Sequence, residues 1–173
     1  MLHLGCGRVR LNGWLNVDLE APDADLHWDL RVPLPLPAAS AQRIFNEHFL
    51  EHLDLDAGLA FLRECRRLVA PGGVLRIAMP DLDFVLERFH DDWRDQDWLH
   101  WPEYQHVDTR VRMLNMAMHE WGHQYLYNRD ELARRLRECG FGNVVFCRNG
   151  ESEHPELRNL ETREDSMLIA EAR

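Results

Sequence analysis

Short apolar stretches in the first part of the chain predict a series of β-strands. One stretch begins at Leu2 and leads directly into the glycines at positions 5 and 7, and a second, 14–17, ends at Asp18. Apolar stretches of this length, bounded by turn residues, are typical of buried strands. Segments 24–30 and 42–46 are predicted as the third and fourth strands.

A change to helical spacing follows the fourth strand. Apolar residues recur at positions 59, 61, 62, 65 and 68, which predicts an amphipathic helix over 57–69. We expect Pro71-Gly72-Gly73 to turn the chain sharply and 74–79 to form a fifth strand. The order of four strands, one helix and one strand is typical of a mostly parallel sheet with crossover connections.

Residues 82–127 differ in character and hold four of the six tryptophans. We predict an insertion of two or three helices here that acts as a lid, with its aromatic residues forming a small core, a dimer contact or a cage for a cationic or planar acceptor. Asn128 is the predicted N-cap of a helix over 129–139. Strands over 144–147 and 166–171 have no helix between them, so they are expected to pair antiparallel.

Composition narrows the function classes. The chain has 173 residues, most simply one domain over 1–173, and a net charge of −10 with acids and bases intermixed. This argues against binding to nucleic acid or to anionic membranes, since both need a basic face. The absence of a long apolar segment or a leader favours a cytoplasmic protein. The four cysteines are scattered and are expected to be reduced, mostly buried thiols: Cys6, Cys65, Cys139 and Cys147.

The first eighteen residues suggest a ligand site. Gly5 and Gly7 follow the first strand and permit a close backbone turn, and Asp18 is placed to accept hydrogen bonds from a ribose diol. A dinucleotide fingerprint would need a third glycine where Arg10 stands, and an acid about 20 residues further on. Without a full first helix there is no helix N-terminus for a pyrophosphate. The pattern favours a nucleoside without phosphates, of which S-adenosylmethionine is the obvious example.

Two stretches also match patterns of zinc peptidases. His119 to His123 reads H-E-x-x-H, and His48 to His52 reads H-x-x-E-H. Histidines at i and i+4 of a helix could share a zinc ion. Gly122 is a poor helix residue, however, and the second stretch directly follows the fourth strand. We assign no metal ligands, and a zinc metallopeptidase remains an alternative.

Taken together, these segments resemble the class I S-adenosylmethionine-dependent methyltransferases, especially a small bacterial group that opens Leu-His-Leu-Gly-Cys-Gly and Gly-Trp-x-Asn-Val-Asp. The resemblance covers 2–7, 13–19, 29–30, 47–53, 70–81 and 151–157. It implies a Rossmann-like, seven-stranded, mostly parallel sheet of order 3-2-1-4-5-7-6 with an antiparallel strand seven. It also implies an abbreviated N-terminus, since relatives carry a cap helix and a full first crossover helix.

The resemblance further implies which residues hold the cofactor. Gly5 and Gly7 would border its methionine part, Asp18 would take the ribose hydroxyls, Asp29 the adenine amine, and the Leu30 backbone would frame the ring. Asn46 and Glu47 would lie near the sulfonium and amino groups. The full expected set is Gly5, Cys6, Gly7, Asp18, Leu19, Asp29, Leu30, Asn46 and Glu47.

The predicted activity is transfer of a methyl group from S-adenosylmethionine to a small-molecule acceptor by in-line displacement. Where the acceptor needs a general base, His48 is the first candidate and His123 the second. A non-catalytic cofactor-binding or scaffold protein is the main alternative. Exposed aromatic residues in a short chain also make a homodimer a reasonable expectation.

Overall fold

The computed structural model describes all 173 residues and contains one seven-stranded sheet. The strands are β1 (Leu2–Leu4), β2 (Leu15–Asp18), β3 (Leu26–His27), β4 (Ala41–Glu47), β5 (Val69–Met79), β6 (Val144–Cys147) and β7 (Leu168–Ala172). Their order is β3-β2-β1-β4-β5-β7-β6, and β7 is antiparallel to both neighbours. The predicted order and the direction of the seventh strand are confirmed.

Two helices cover one face of the sheet. Helix α1 (Leu55–Leu68) joins β4 to β5, and α4 (Arg129–Glu138) precedes β6. The Asp54 side chain caps α1 by accepting from the Ala57 N–H at 2.8 Å, which is why the helix begins earlier than its apolar spacing indicates. Asn128 caps α4 as predicted. The apolar sides of both helices pack on the main core of the sheet.

The sharp turn expected at 71–73 does not occur. These residues belong to β5, where the step from Ala41 to Arg43 on β4 faces the longer step from Val69 to Val74. Gly72 has a positive φ of 75°, so the extra residues form a bulge within the strand and the chain does not reverse. The strand therefore begins at Val69, five residues before its predicted start.

The other face of the sheet carries no α-helix. It is covered by the loop around Trp14 and by the segment before β7, which contributes Leu157. Arg76 of β5 points to this face, is fully buried, and pairs with Glu161 at 2.6 Å and Glu171 at 2.7 Å. The connections between the first four strands also lack helices, as the abbreviated pattern predicted.

The insertion after β5 contains two α-helices, α2 (Leu82–His90) and α3 (Arg110–Asn115), with short 3-10 turns between them and a π-helical turn after α3. Its base is closed by the Leu82 N–H, which donates to the Tyr127 carbonyl at 2.9 Å. Trp93 lies in a small core of its own, against which Trp98 and Trp121 pack. The aromatic residues thus form a local core, one of the three arrangements considered from the sequence, although Trp101 is 53% exposed.

Three of the four cysteines are buried and the fourth, Cys147, is half-buried. All four are free thiols, as the sequence predicted. No helix of this fold combines the length and the apolar character needed to cross a bilayer.

Candidate active site

A cleft of about 490 Å³ opens beside the carboxyl ends of β1, β2 and β3. In open parallel sheets this edge is where ligands bind. Five of the predicted cofactor residues line the cleft: Gly5, Asp18, Leu19, Asp29 and Leu30. The fold therefore brings together, in one cavity, residues that come from three separate strand ends.

Asp18 ends β2 and is held by backbone donors. Its Oδ2 accepts from the Gly7 N–H at 2.9 Å, and its Oδ1 accepts from the N–H groups of Glu20 and Ala21. Burial raises the pKa of Asp18, but these N–H donors lower it by more, so its net pKa lies below the usual value. The carboxylate is thus ionised, and with three of its roughly four acceptor sites in use it keeps one, on Oδ2, for a ligand hydroxyl.

The two glycines of the first turn have different roles. Gly5 lines the cleft with a φ of 70°, and a Cβ at this position would lie 2.6 Å from the Phe49 ring. Gly7 has a φ of 51°, and a Cβ there would meet no atom within 4 Å. Cys6 is buried between them, and neither Cys6 nor Gly7 lines the cleft. Gly7 acts on the site through its bond to Asp18.

Asp29 and Leu30 lie beyond the end of β3. Asp29 is paired with Arg31, whose Nη2 donates to Oδ2 at 2.7 Å, and this bonding lowers the pKa of Asp29 to about 2. Leu30 is almost fully buried and contributes to the floor of the cleft. The sequence did not single out Arg31, which gives this end of the cleft a cation beside the expected adenine acceptor.

Asn46 and Glu47, at the end of β4, do not line the cleft. The Glu47 carboxylate accepts from the backbone N–H of Thr162 at 2.9 Å and from the Ser166 hydroxyl at 2.7 Å, so it anchors the segment before β7. Asn46 is fully buried, and its side-chain amide has no hydrogen-bond partner. Their expected contact with the cofactor stays a prediction.

Three further residues line the cleft that the sequence does not assign to the cofactor: Phe49, His52 and Gln124. Gln124 lies near the end of the insertion, and its backbone N–H donates to the Glu51 carbonyl at 2.8 Å. No local pattern identifies Gln124, because only the folded insertion brings it to the turn after β4.

A second, much smaller cavity lies next to these residues. It measures about 20 Å³, which is room for roughly one water molecule, and Glu51 and His123 line it together with apolar residues. Two pairs of consecutive residues, Glu51-His52 and His123-Gln124, form the wall between the two cavities. Glu51 and His123 face the small cavity, whereas their neighbours His52 and Gln124 face the cleft.

Glu51 is an unusual group in this wall. It is only 3% exposed, and neither carboxylate oxygen has a hydrogen-bond partner. Burial raises the pKa of Glu51 to about 8. His48 Nδ1 is the nearest basic nitrogen, but at 3.5 Å it is too far for a normal hydrogen bond.

The two candidate bases occupy different places. The His48 Nε2 lies 3.1 Å from the Ser166 hydroxyl, and its ring lines neither cavity. Burial, followed by the charge of Arg163, lowers the pKa of His48 to about 3. His123 lines the small cavity, and burial, followed by His52, lowers its pKa as well. Of the two, His123 is the one beside open space.

Neither zinc-peptidase pattern forms a helical histidine pair. His119 is exposed on the π-helical turn, and Gly122 has a φ of 83°, which turns the chain before His123. The structure instead groups one histidine from each pattern, His52 and His123, with Glu51. The metallopeptidase arrangement considered from the sequence is therefore absent.

Comparison with known proteins gives the family. Residues 11–145 match the model of a family described as a methyltransferase domain. Two probable S-adenosylmethionine-dependent methyltransferases from strains of Mycobacterium tuberculosis are each 28% identical over 137 residues, which is 79% of this chain and 39% of the relative. The chain thus spans about two fifths of the length of those relatives.

Solved structures agree on the fold. A methyltransferase from Archaeoglobus fulgidus superposes with a TM-score of 0.56 at 16% identity, over 99% of this chain and 83% of its own. One from Thermotoga maritima gives a TM-score of 0.54 at 15% identity, over 99% and 80%. With the family match covering most of the chain, the class I resemblance is confirmed, and this chain belongs to the S-adenosylmethionine-dependent methyltransferase family.

Proposed function

We propose that this domain binds S-adenosylmethionine in the cleft and transfers its methyl group to a small-molecule acceptor. One observation carries the proposal: Asp18 and Asp29, from the ends of β2 and β3, line the same cavity as the Gly5 turn. In such a cavity Asp18 would accept from a ribose hydroxyl, and Asp29 would accept from an adenine amine in exchange for one of its bonds to Arg31.

The lining residues also give the cofactor a direction. The adenosine would lie between Asp18 and Asp29, above Leu30, and the methionine part would extend past Gly5 toward Phe49. The methyl group would then point toward His52 and the wall behind it. Methyl transfer is an in-line displacement, so holding an acceptor opposite the sulfur would lower the activation barrier by up to roughly 7–11 kcal/mol.

The acceptor would approach at the end of the cleft formed by His52 and Gln124, because the cavity behind the wall is too small for it. Of the two candidate bases, we propose that His123, rather than His48, acts at this end of the cleft, through its contact with His52. His123 stands directly behind His52, with ring centroids 5.0 Å apart, whereas the His48 ring lines neither cavity. Helices of the insertion would cover the bound acceptor.

A small acceptor fits the surface better than a nucleic acid does, since the net charge is −10. The exposed Trp101 and Val111 lie on the insertion and offer an apolar contact for a second copy of the chain. Light scattering of the purified protein would report a homodimer or a monomer, independently of the cofactor.

The test is methyl transfer from labelled S-adenosylmethionine across a panel of small acceptors that offer oxygen, nitrogen, carbon and sulfur nucleophiles. The proposal expects turnover of at least one acceptor, and its loss in the Asp18→Ala variant because the cofactor no longer binds. Turnover that survives in Asp18→Ala would contradict the assignment of the cleft.

A further inference from the structure

Three side chains with metal-binding chemistry meet at the wall between the two cavities. One ligand atom from each of Glu51, His52 and His123 lies within 4.8 Å of the other two. We propose that these residues, the ligand cluster, form a binding site for one divalent transition-metal ion of the zinc or ferrous type. Two imidazoles and one carboxylate are a donor set that such ions take in proteins, with further positions left open.

The state of Glu51 provides an independent observation. Its side chain is 3% exposed and both oxygens lack any hydrogen-bond partner. A buried polar group without a partner costs free energy, and folded proteins rarely leave one unexplained. A cation in contact with the carboxylate would satisfy it.

The imidazole of His123 is already oriented for coordination. Its Nδ1 lies 2.7 Å from the Ala117 carbonyl oxygen, so Nδ1 carries the ring hydrogen and donates a hydrogen bond to that oxygen. The lone pair of Nε2 is then free for an ion. Metal-bound histidines typically use their second nitrogen in this way, because the bond fixes the ring and its tautomer.

The backbone holds the two halves of the cluster in register. The Glu51 carbonyl accepts from the Gln124 N–H at 2.8 Å, and the Gln124 side chain donates to the His52 carbonyl at 2.6 Å. Ligands of a tetrahedral zinc lie about 3.4 Å apart when each bond is about 2.1 Å. Small side-chain rotations would close the cluster to that spacing without moving the backbone.

The surroundings leave room for an open coordination position. Glu51 and His123 both line the cavity of about 20 Å³, which can hold a single water molecule. Asp165 and Glu47 add negative charge near Glu51, while Arg163 opposes it with a positive charge. His48, whose Nδ1 lies 3.5 Å from Glu51, is not protonated at neutral pH, because burial lowers its pKa to about 3.

A role for the ion follows only if the proposed function holds. His52 lines the cleft where the methyl group would point, so an ion on the ligand cluster would lie beside the acceptor. A coordination position on the cleft side would then bind an acceptor oxygen as a Lewis acid, while the small cavity holds a water ligand. In that form His123 acts on the acceptor through the ion, because its Nε2 is a ligand and does not take a proton.

The experiment is a titration of the chelator-treated full chain with Co²⁺, followed by visible absorption. We expect one equivalent to bind with the intense bands of a low-symmetry site, and one equivalent of Zn²⁺ or, without oxygen, Fe²⁺ to displace it. Glu51→Gln and His123→Asn should each weaken Co²⁺ binding by about 100-fold or more, since losing even an outer partner of a ligand costs 10–100-fold. His119→Asn is the matched control and should bind like wild type, because His119 is exposed and outside the cluster.

Circular dichroism of each variant verifies the fold, and His52→Asn replaces any variant that fails to fold, because His52 is only half-buried. The proposal is overturned if no ion binds at stoichiometric level, or if binding is the same in Glu51→Gln and His123→Asn as in wild type. Calorimetry with S-adenosylhomocysteine, run on the same metal-free samples, reports the proposed function separately. Metal binding without cofactor binding would leave the site standing and remove only the assigned role.

Discussion

The backbone N–H of Gly7 donates a 2.9 Å hydrogen bond to the carboxylate of Asp18. This bond ties the turn after β1 to the end of β2, which are neighbouring strands in the sheet. Asp18 therefore has two tasks: it fixes the shape of the turn and presents a charged acceptor to the cleft. Mutations at Asp18 must be judged by both stability and affinity.

Replacing Asp18 with alanine should weaken binding of S-adenosylhomocysteine by about 100-fold or more. A hydrogen bond to a charged group contributes about 1.5–3 kcal/mol, and loss of the bond that Asp18 accepts from Gly7 also loosens the turn that borders the cofactor. Isothermal titration calorimetry measures the change. Asp23→Ala removes an exposed acid from the same loop that does not line the cleft, and it should leave affinity unchanged. Equal affinity in wild type and Asp18→Ala would remove the ribose assignment.

The glycines of the first turn should respond differently to alanine. In Gly5→Ala the new Cβ would lie 2.6 Å from the Phe49 ring, in addition to the strain of a positive φ. Gly7→Ala meets open space and carries only the backbone strain, about 1–2 kcal/mol. Urea denaturation should show a clearly larger loss of unfolding free energy for Gly5→Ala. Similar losses in the two variants would mean that the Phe49 contact is unimportant.

The sequence was most informative where local chemistry decides the structure. The strand end at Asp18, the cap at Asn128 and the antiparallel seventh strand all follow from short patterns or from the resemblance, whereas the third strand, predicted over 24–30, covers only Leu26–His27, so Asp29 follows it. It was less informative where distant segments meet. His52 and His123 belong to two patterns that each suggested a helical pair, but Gly122 turns the chain, and hydrogen bonds from Gln124 join the patterns across the fold.

The turn predicted at 71–73 was wrong for a similar reason. Pro71-Gly72-Gly73 has the composition of a turn, and only pairing with β4 makes it part of a strand. Glu64 is likewise absent from the apolar positions that predict α1, yet it is only 9% exposed, because the segment around Leu34 packs over it and donates to its carboxylate. In both places a tertiary contact overrides the local signal.

Arg76 should be needed to hold the helix-free face of the sheet. Replacing it with methionine leaves two buried carboxylates without their cation, and removing one partner of a buried pair typically costs about 3–5 kcal/mol. Urea denaturation of Arg76→Met should show a loss of this size. Adding Glu161→Met and Glu171→Met to the same chain should recover much of it, because no buried charge then remains. A loss under about 1 kcal/mol in the single variant would contradict the assigned role.

Glu64 should make stability depend on pH in the acid range. Its carboxylate accepts from the Leu34 N–H at 2.8 Å and from Arg67 Nε at 2.7 Å. Burial raises the pKa of Glu64, but its bonds to Arg67 and Leu34 lower the pKa by a larger amount. The net pKa in the folded protein is therefore below the usual value. Its stabilising effect is therefore fully present above the unfolded pKa of about 4.3 and is lost as the pH falls through the folded value.

Glu64→Gln should accordingly lower the unfolding free energy by about 1–3 kcal/mol at pH 7, with the difference from wild type shrinking below pH 4. Thermal or urea unfolding across pH 3–8 gives this curve. Arg63→Gln, on the exposed side of the same helix, is the control and should show no such dependence. A difference that grows as the pH falls would have the wrong sign for this account.

The central claim is that the cleft holds S-adenosylmethionine, and the most direct measurement is calorimetric titration of the metal-free protein with S-adenosylhomocysteine, with NAD as the comparison ligand. The account predicts one-to-one binding of S-adenosylhomocysteine and none of NAD, since no helix N-terminus follows β1 to receive a pyrophosphate. Absence of S-adenosylhomocysteine binding to folded protein, or equal binding of NAD, would contradict it.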